Sequence, residues 1–207
     1  MHSYLADFFI IAGLHLLALM SPGPDFVMVT RNSLIYSRKS GLFSALGLAL
    51  GIMMHISYCL VGIAYIISKS IIVFSILKFA GAGYLMFIGY NSLRAKPSNL
   101  SDINIEKKDM GNLAALKMGF LTNLFNPKVT LFFLALFTQV IRPGTPFLIK
   151  LAYGAEMSAM TFVWFSVVAL VLSHNKIKQK FLSIQYYVER VTGVALIALG
   201  LKVALAK

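Results

Sequence analysis

Charged residues are scarce in this sequence, and acidic ones are the scarcest. Only 13% of the 207 residues are charged and only seven are Asp or Glu, whereas about 25% of the residues in a soluble domain carry a charge. The single cysteine, Cys59, excludes an intrachain disulfide and any metal centre built from several cysteines. The shortage of charge excludes an ordinary soluble domain, and the mean hydropathy of +0.80 indicates a membrane protein.

The net charge of +12 raises nucleic acid as a partner. The basic residues, however, lie in the connections between apolar runs, and no basic cluster is interleaved with aromatic residues. Nucleic acid is therefore not an expected partner, and positive connections are typical of cytoplasmic loops. The residues before the first apolar run include no Lys or Arg, so no cleaved signal peptide is predicted.

Six apolar runs are long enough to cross a hydrocarbon core of about 30 Å. They cover residues 5–30, 41–67, 71–93, 113–141, 147–172 and about 184–205. A polar connection over residues 95–112 separates repeat 1 (about 1–95) from repeat 2 (about 113–207) within a single transmembrane domain, 1–207. Lys and Arg are concentrated in the first, third and fifth connections. We therefore expect a multi-pass protein of the bacterial inner membrane with both termini on the periplasmic face.

The two halves of the chain resemble each other. The first and fourth runs are both interrupted by proline, and an offset of 103 residues places one interruption on the other and Gly51 on Gly154. Because three spans are an odd number, the second unit must enter the membrane in the opposite sense to the first. The predicted fold is an all-α membrane protein with six transmembrane helices in two inverted three-helix repeats, helices 1 and 4 being broken. Such folds place substrate near the bilayer midplane, at the broken helices.

The first break is formed by Pro22, Gly23 and Pro24, and Asp25 follows it. Each proline lacks an N–H and clashes with the carbonyl four residues earlier, while the glycine permits a turn. Backbone groups freed at membrane depth must be buried in protein or line a wet cavity. We expect Asp25 to lie at the start of the next half-helix, where its carboxylate favours the positive end of the dipole.

The second break contains Asn123, Asn126, Pro127 and Lys128, with Asn126 predicted to cap the following half-helix. A lysine at that position opposes the helix dipole, but an ammonium group and free N–H groups together suit a carboxylate. Asp25, in turn, suits an ammonium group, so the two breaks together predict a zwitterionic substrate. The alternative is that Asp25 and Lys128 pair with each other, because each intramembrane charge costs about 2.5–3.5 kcal/mol.

Three further ionisable residues lie at membrane depth. His55 is either a proton-relay or substrate residue or an interior histidine with satisfied hydrogen bonds. Glu156 either partners Lys128 or contributes to ion coupling. His15 is assigned to packing.

The motifs at the two breaks resemble those of the LysE/RhtB family of amino-acid exporters. Residues 22–26 read PGPDF, residues 31–33 read RNS and residues 119–128 read GFLTNLFNPK; the likeness extends over about residues 5–205. The resemblance implies proton-driven efflux of amino acids such as threonine, homoserine, lysine or leucine from the bacterial cytoplasm. The family's motif residues fall on Pro22, Gly23, Pro24, Asp25, Asn126, Pro127 and Lys128.

The leading hypothesis is a proton-coupled exporter of amino acids or their derivatives. Its expected partners are an amino acid or similar zwitterion, protons and the lipid bilayer, with no cofactor and no resident metal. A homodimer is also expected, because bundles this small often dimerise. No nucleophile or zinc-protease motif is present, so an enzyme is not expected. The alternative is efflux of a metal cation or another small solute by a related six-helix fold, with Asp25, His55 and Glu156 as metal ligands.

Overall fold

The computed structural model describes residues 4–21, 23–94, 110–140, 145–172 and 175–205. Pro22 and most of the polar connection over 95–112 lie outside these ranges. The regular structure of the described residues is entirely helical and contains no strand. The helices are α1 (Tyr4–Met20), α2 (Pro24–Ile35), α3 (Arg38–Lys69), α4 (Ile71–Arg94), α5 (Asn112–Leu124), α6 (Pro127–Val140), α7 (Phe147–Leu172) and α8 (Asn175–Leu205).

Proline divides two of the predicted spans into bent pairs of helices. The axes of α1 and α2 meet at 58°, and those of α5 and α6 meet at 55°. Two single segments, Arg38–Leu60 and Phe147–Leu172, are long and apolar enough to cross a membrane. If each bent pair forms one span, the described residues supply up to four spans. The six-span count and the inverted repeat therefore stay predictions.

Glycines let several helices approach backbone to backbone. A Cβ atom added to Gly47 of α3 would lie 2.1 Å from a carbonyl oxygen of α5, and one added to Gly119 of α5 would lie 2.1 Å from a carbonyl oxygen of α3. In the same way, a Cβ atom added to Gly89 of α4 would lie 2.7 Å from the carbonyl oxygen of Gly193 of α8, and one added to Gly193 would lie 2.7 Å from the carbonyl oxygen of Gly89. Small residues at such crossings are the usual means by which membrane helices pack closely.

Two apolar clusters form the interior, and their members come from most of the helices. The first contains Ile11, Ile52, Leu85, Phe133, Met157 and Leu196. The second contains Leu19, Phe26, Leu48 and Phe165. Large apolar side chains also cover much of the outside, among them Phe9, Ile72 and Phe87, as expected of a surface in contact with lipid tails. A cavity beside the two helix breaks is lined by residues of both clusters and is the candidate site.

Candidate functional site

The second break is built by an asparagine cap followed by a proline. α5 ends at Leu124, and α6 begins at Pro127, whose missing N–H costs nothing at the first helical position. The side chain of Asn126 accepts a hydrogen bond from the backbone N–H of Lys128 at 3.0 Å and so caps α6, as predicted from its position in the sequence. The cap places Lys128 in the first turn of α6.

Asp25 is held by the amides of the second break. It lies in the first turn of α2 and is buried. Asn123 donates from Nδ2 to one carboxylate oxygen of Asp25 at 2.7 Å, and Asn126 donates from Nδ2 to the other at 2.9 Å. Hydrogen bonds to an ionised acceptor are roughly twice as strong as neutral ones. Two such bonds connect the start of α2 to the gap between α5 and α6.

Lys128 is held by the end of the first break. Its ammonium group donates to both the carbonyl oxygen and the hydroxyl oxygen of Ser21, each at 2.9 Å. Ser21 immediately follows α1, and its carbonyl is exposed to other donors because the helix stops there. The absence of a side chain at Gly23 leaves room for the lysine, since a Cβ atom there would already lie 3.4 Å from Cδ and Nζ of Lys128. Each break therefore holds the charged residue of the other.

His55 is hydrogen bonded to the end of α5, where Asn123 lies. Its Nε2 atom lies 3.0 Å from the carbonyl oxygen of Asn123, and because a carbonyl only accepts, Nε2 carries the proton. The Nδ1 atom of a neutral imidazole then accepts from the hydroxyl of Tyr58, with which it is hydrogen bonded. The ring also stacks on Phe133, with centroids 5.8 Å apart. The Nε2 atom of His55 thus contacts the end of α5, while Nδ1 is hydrogen bonded within α3.

A cavity opens beside the two charged residues. It holds about 530 Å³ of space between atoms, including the part open to solvent. Its polar lining comes from His15, Ser21, Asp25, Asn126 and Lys128. Its apolar lining includes Leu19, Phe26, Ile52, Ile88, Phe132, Phe133, Phe165 and Leu196. A cavity with opposite charges on one part of an otherwise apolar wall suits a small zwitterion with an uncharged side chain.

A family model described as "LysE type translocator" matches residues 16–207. The chain belongs to this family. The threonine efflux protein of Salmonella typhi is 28% identical over 97% of this chain and 98% of its own length. The uncharacterized membrane protein YrhP of Bacillus subtilis is 29% identical over the full length of both chains. The homoserine/homoserine lactone efflux protein of Salmonella typhi is 33% identical over 61% of each chain. No solved structure matches.

In this LysE-type translocator, most of the residues chosen from the sequence lie together. Gly23, Asp25, Asn126 and Lys128 line the cavity. Asn123 is hydrogen bonded to Asp25, and His55 is hydrogen bonded to Asn123. Pro24 and Pro127 begin α2 and α6, while Pro22 lies outside the described residues.

Glu156 stands apart from the cavity lining. It lies on α7, and both of its carboxylate oxygens are buried without a hydrogen-bond partner in the described part of the chain. The suggested contact with Lys128 is therefore not formed through a hydrogen bond in this structure. The described residues also bring together no group of three or more His, Cys, Asp or Glu side chains able to hold a metal, so the metal-efflux alternative gains no support there.

Three residues at or near the candidate site were not predicted from the sequence. Ser21 is the acceptor for Lys128, and its position next to the proline motif was the available signal. His15 lines the cavity although it was assigned to packing. Glu189 of α8 acts electrostatically on Lys128, and an acid inside the sixth apolar run was the available signal.

Proposed function

We propose that the protein exports amino acids or close derivatives from the cytoplasm across the bacterial inner membrane, and that this export is coupled to protons. The observation that supports this function best is the pair of opposite charges beside one cavity, each held by the opposite helix break. The relatives named as threonine and homoserine efflux proteins favour the same substrate class.

A zwitterion would use both charged residues. Its carboxylate would receive hydrogen bonds from the ammonium group of Lys128 and replace the Ser21 oxygens that Lys128 contacts at 2.9 Å. Its ammonium group would donate to Asp25, whose carboxylate oxygens have lone pairs beyond those used by the two amides. Lys128 would then exchange one set of acceptors for another, so the lysine need not lose its hydrogen bonds when substrate enters.

Proton coupling would follow from the same competition. Protonation of Asp25 removes the charge that attracts the substrate's ammonium group, so proton binding and substrate binding would exclude each other at this carboxylate. Glu156, an acid with no hydrogen-bond partner among the described residues, is the second candidate for carrying a proton.

The proposed topology is six spans in two inverted repeats within one domain, with both termini in the periplasm. The helix order supports it, because a bent pair followed by two single helices occurs twice. The bends are alike, at 58° and 55°. In addition, α3 packs on α7 and α4 packs on α8, so that each of these helices contacts its counterpart in the other half.

Counterflow in proteoliposomes tests the proposal directly. Purified protein would be reconstituted with unlabelled threonine inside, and the uptake of labelled threonine would be followed with and without an imposed pH gradient. We expect Asp25→Asn and Lys128→Ala each to lower exchange by at least about tenfold, because each removes a charge-assisted contact worth about 1.5–3 kcal/mol. Lys117→Ala, a lysine exposed on α5, is the matched control.

The outcomes separate the parts of the proposal. Undiminished exchange by both Asp25→Asn and Lys128→Ala would remove these residues from the substrate site. Net movement of labelled threonine, measured in vesicles without threonine on the opposite side, that ignores the pH gradient would remove proton coupling and leave amino-acid transport standing.

A further inference from the structure

His15 occupies a position that packing alone does not explain. It is 1% exposed and lines the same cavity as Asp25 and Lys128. The rings of Phe132 and Phe133 meet the imidazole edge to face, with centroids 6.1 Å and 5.7 Å away. The aromatic contacts hold the ring in one orientation at the cavity wall.

Thr161 determines which nitrogen of His15 carries the proton. The Thr161 hydroxyl donates its single hydrogen to the carbonyl oxygen of Met157 at 2.9 Å. It can therefore only accept from the Nε2 atom of His15, which lies 3.1 Å away. Burial among aromatic rings disfavours the cationic imidazole, so Nδ1 is left with a lone pair and no proton.

The Nδ1 atom of His15 has no hydrogen-bond partner among the described residues, and it is buried. An unsatisfied buried acceptor has lost its hydrogen bonds to water without replacement, and such groups are rare in native proteins. That loss is recovered if a donor arrives with the substrate. The Nδ1 atom of His15 is thus an acceptor in a residue of the cavity wall, and the described residues provide no donor for it.

His15 and Lys128 line one cavity. A substrate whose carboxylate is bound by the ammonium group of Lys128 would therefore have its side chain in the cavity that His15 lines. A hydrogen-bond donor on that side chain is the partner that Nδ1 of His15 lacks among the described residues.

We propose that the Nδ1 atom of His15 accepts a hydrogen bond from the substrate's side chain, so that the cavity selects amino acids with a side-chain donor over apolar ones of the same shape. The proposal rests on the proposed function, because it assumes that the amino-acid head group lies at Asp25 and Lys128. It makes His15 a specificity-determining residue.

Threonine and valine provide the test, since valine replaces the hydroxyl of threonine by a methyl group. Inhibition of labelled threonine counterflow by each unlabelled amino acid would be measured for the wild type, His15→Gln and His15→Asn. Asparagine places its amide at the level of Nδ1, whereas glutamine places it at the level of Nε2 and can still meet Thr161. We expect the wild type to prefer threonine by about tenfold or more, His15→Asn to keep most of that preference, and His15→Gln to lose it.

Another variant tests the inference without changing His15, in case the histidine variants do not fold. Thr161→Val keeps His15 but removes the acceptor that fixes its tautomer, so the preference for threonine should fall. The inference is overturned if the wild type does not distinguish the two amino acids, or if His15→Gln and Thr161→Val both keep the full preference; either result leaves amino-acid export intact. If the wild type exchanges no amino acid at all, the proposed function fails and this inference fails with it.

Discussion

Replacement of Gly51 by alanine should disturb the site although Gly51 is not part of it. Gly51 lies on α3, against the end of α5. A Cβ atom added there would lie 2.6 Å from Oδ1 and 2.8 Å from Cβ of Asn123. The Cβ atom of Asn123 moves only with its own backbone, so rotation of the side chain cannot relieve the clash. The end of α5 must retreat by about 0.6 Å to restore ordinary van der Waals contact.

The expected cost has two parts. Overpacking of a tight helix crossing costs about 1–3 kcal/mol. The same retreat would stretch the 2.7 Å bond between Asn123 and Asp25, and a hydrogen bond to a charged group is worth about 1.5–3 kcal/mol. The gain from replacing a helical glycine, about 1 kcal/mol, offsets part of this. We expect Gly51→Ala to lower the free energy of unfolding by about 2 kcal/mol and threonine counterflow by about tenfold or more.

Two other glycines are matched controls for this substitution. A Cβ atom at Gly83 would have no neighbour within 4 Å, so Gly83→Ala should be neutral or stabilising by up to about 1 kcal/mol. A Cβ atom at Gly154, the counterpart of Gly51 in the second half, would lie 3.0 Å from Cγ2 and 3.4 Å from Cδ1 of Ile56, so Gly154→Ala should cost less than Gly51→Ala. Denaturation in detergent micelles and counterflow would be measured for all three. If Gly51→Ala behaves like Gly83→Ala in both assays, the reasoning is refuted.

Three further substitutions test individual contacts. Ser21→Ala removes the hydroxyl that accepts from Lys128 but keeps the carbonyl, so counterflow should fall by less than in Lys128→Ala; a fall as large would contradict the double contact. Tyr58→Phe removes the donor to His55 and should lower the free energy of unfolding by about 1–2 kcal/mol, measured by denaturation in detergent. Glu189→Gln removes a negative charge that acts on Lys128 and should lower counterflow several-fold, with Glu189→Asp restoring most of it; equal loss in both would indicate a steric role.

Helix positions were predicted well from the sequence where proline or a change in polarity marks a boundary. The fifth run, 147–172, is α7 with the same ends, and the third, 71–93, differs from α4 by one residue. The sixth run began at about 184, but α8 begins at Asn175. The helix continues into polar sequence because its backbone hydrogen bonds do not depend on apolar side chains, so an apolar run marks the membrane-spanning part of a helix and not its end.

The charged residues of the site were predictable, but their partners were not. A charge at membrane depth is costly, so Asp25 and Lys128 stand out in any such sequence. They are hydrogen bonded to Asn123, Asn126 and Ser21, and these pairings depend on how two bent pairs of helices are placed side by side. His15 was assigned to packing for the same reason, because the face of α1 that lines the cavity is set by tertiary contacts.

The crossed contacts between the two breaks suggest how substrate binding would be linked to helix movement. Two amides from the second break hold Asp25 at the start of α2, and the oxygens of Ser21 at the end of α1 hold Lys128. A substrate carboxylate that takes the ammonium group of Lys128 from Ser21 would remove the hydrogen bonds that join the end of α1 to α6, while the amides would still join α2 to the second break. In inverted-repeat transporters, access alternates when one group of helices moves against the other around a fixed site. Substrate would break the contact between Lys128 and Ser21 and leave the contact between Asp25 and the two asparagine amides in place. The second contact would then be the point about which the helices move.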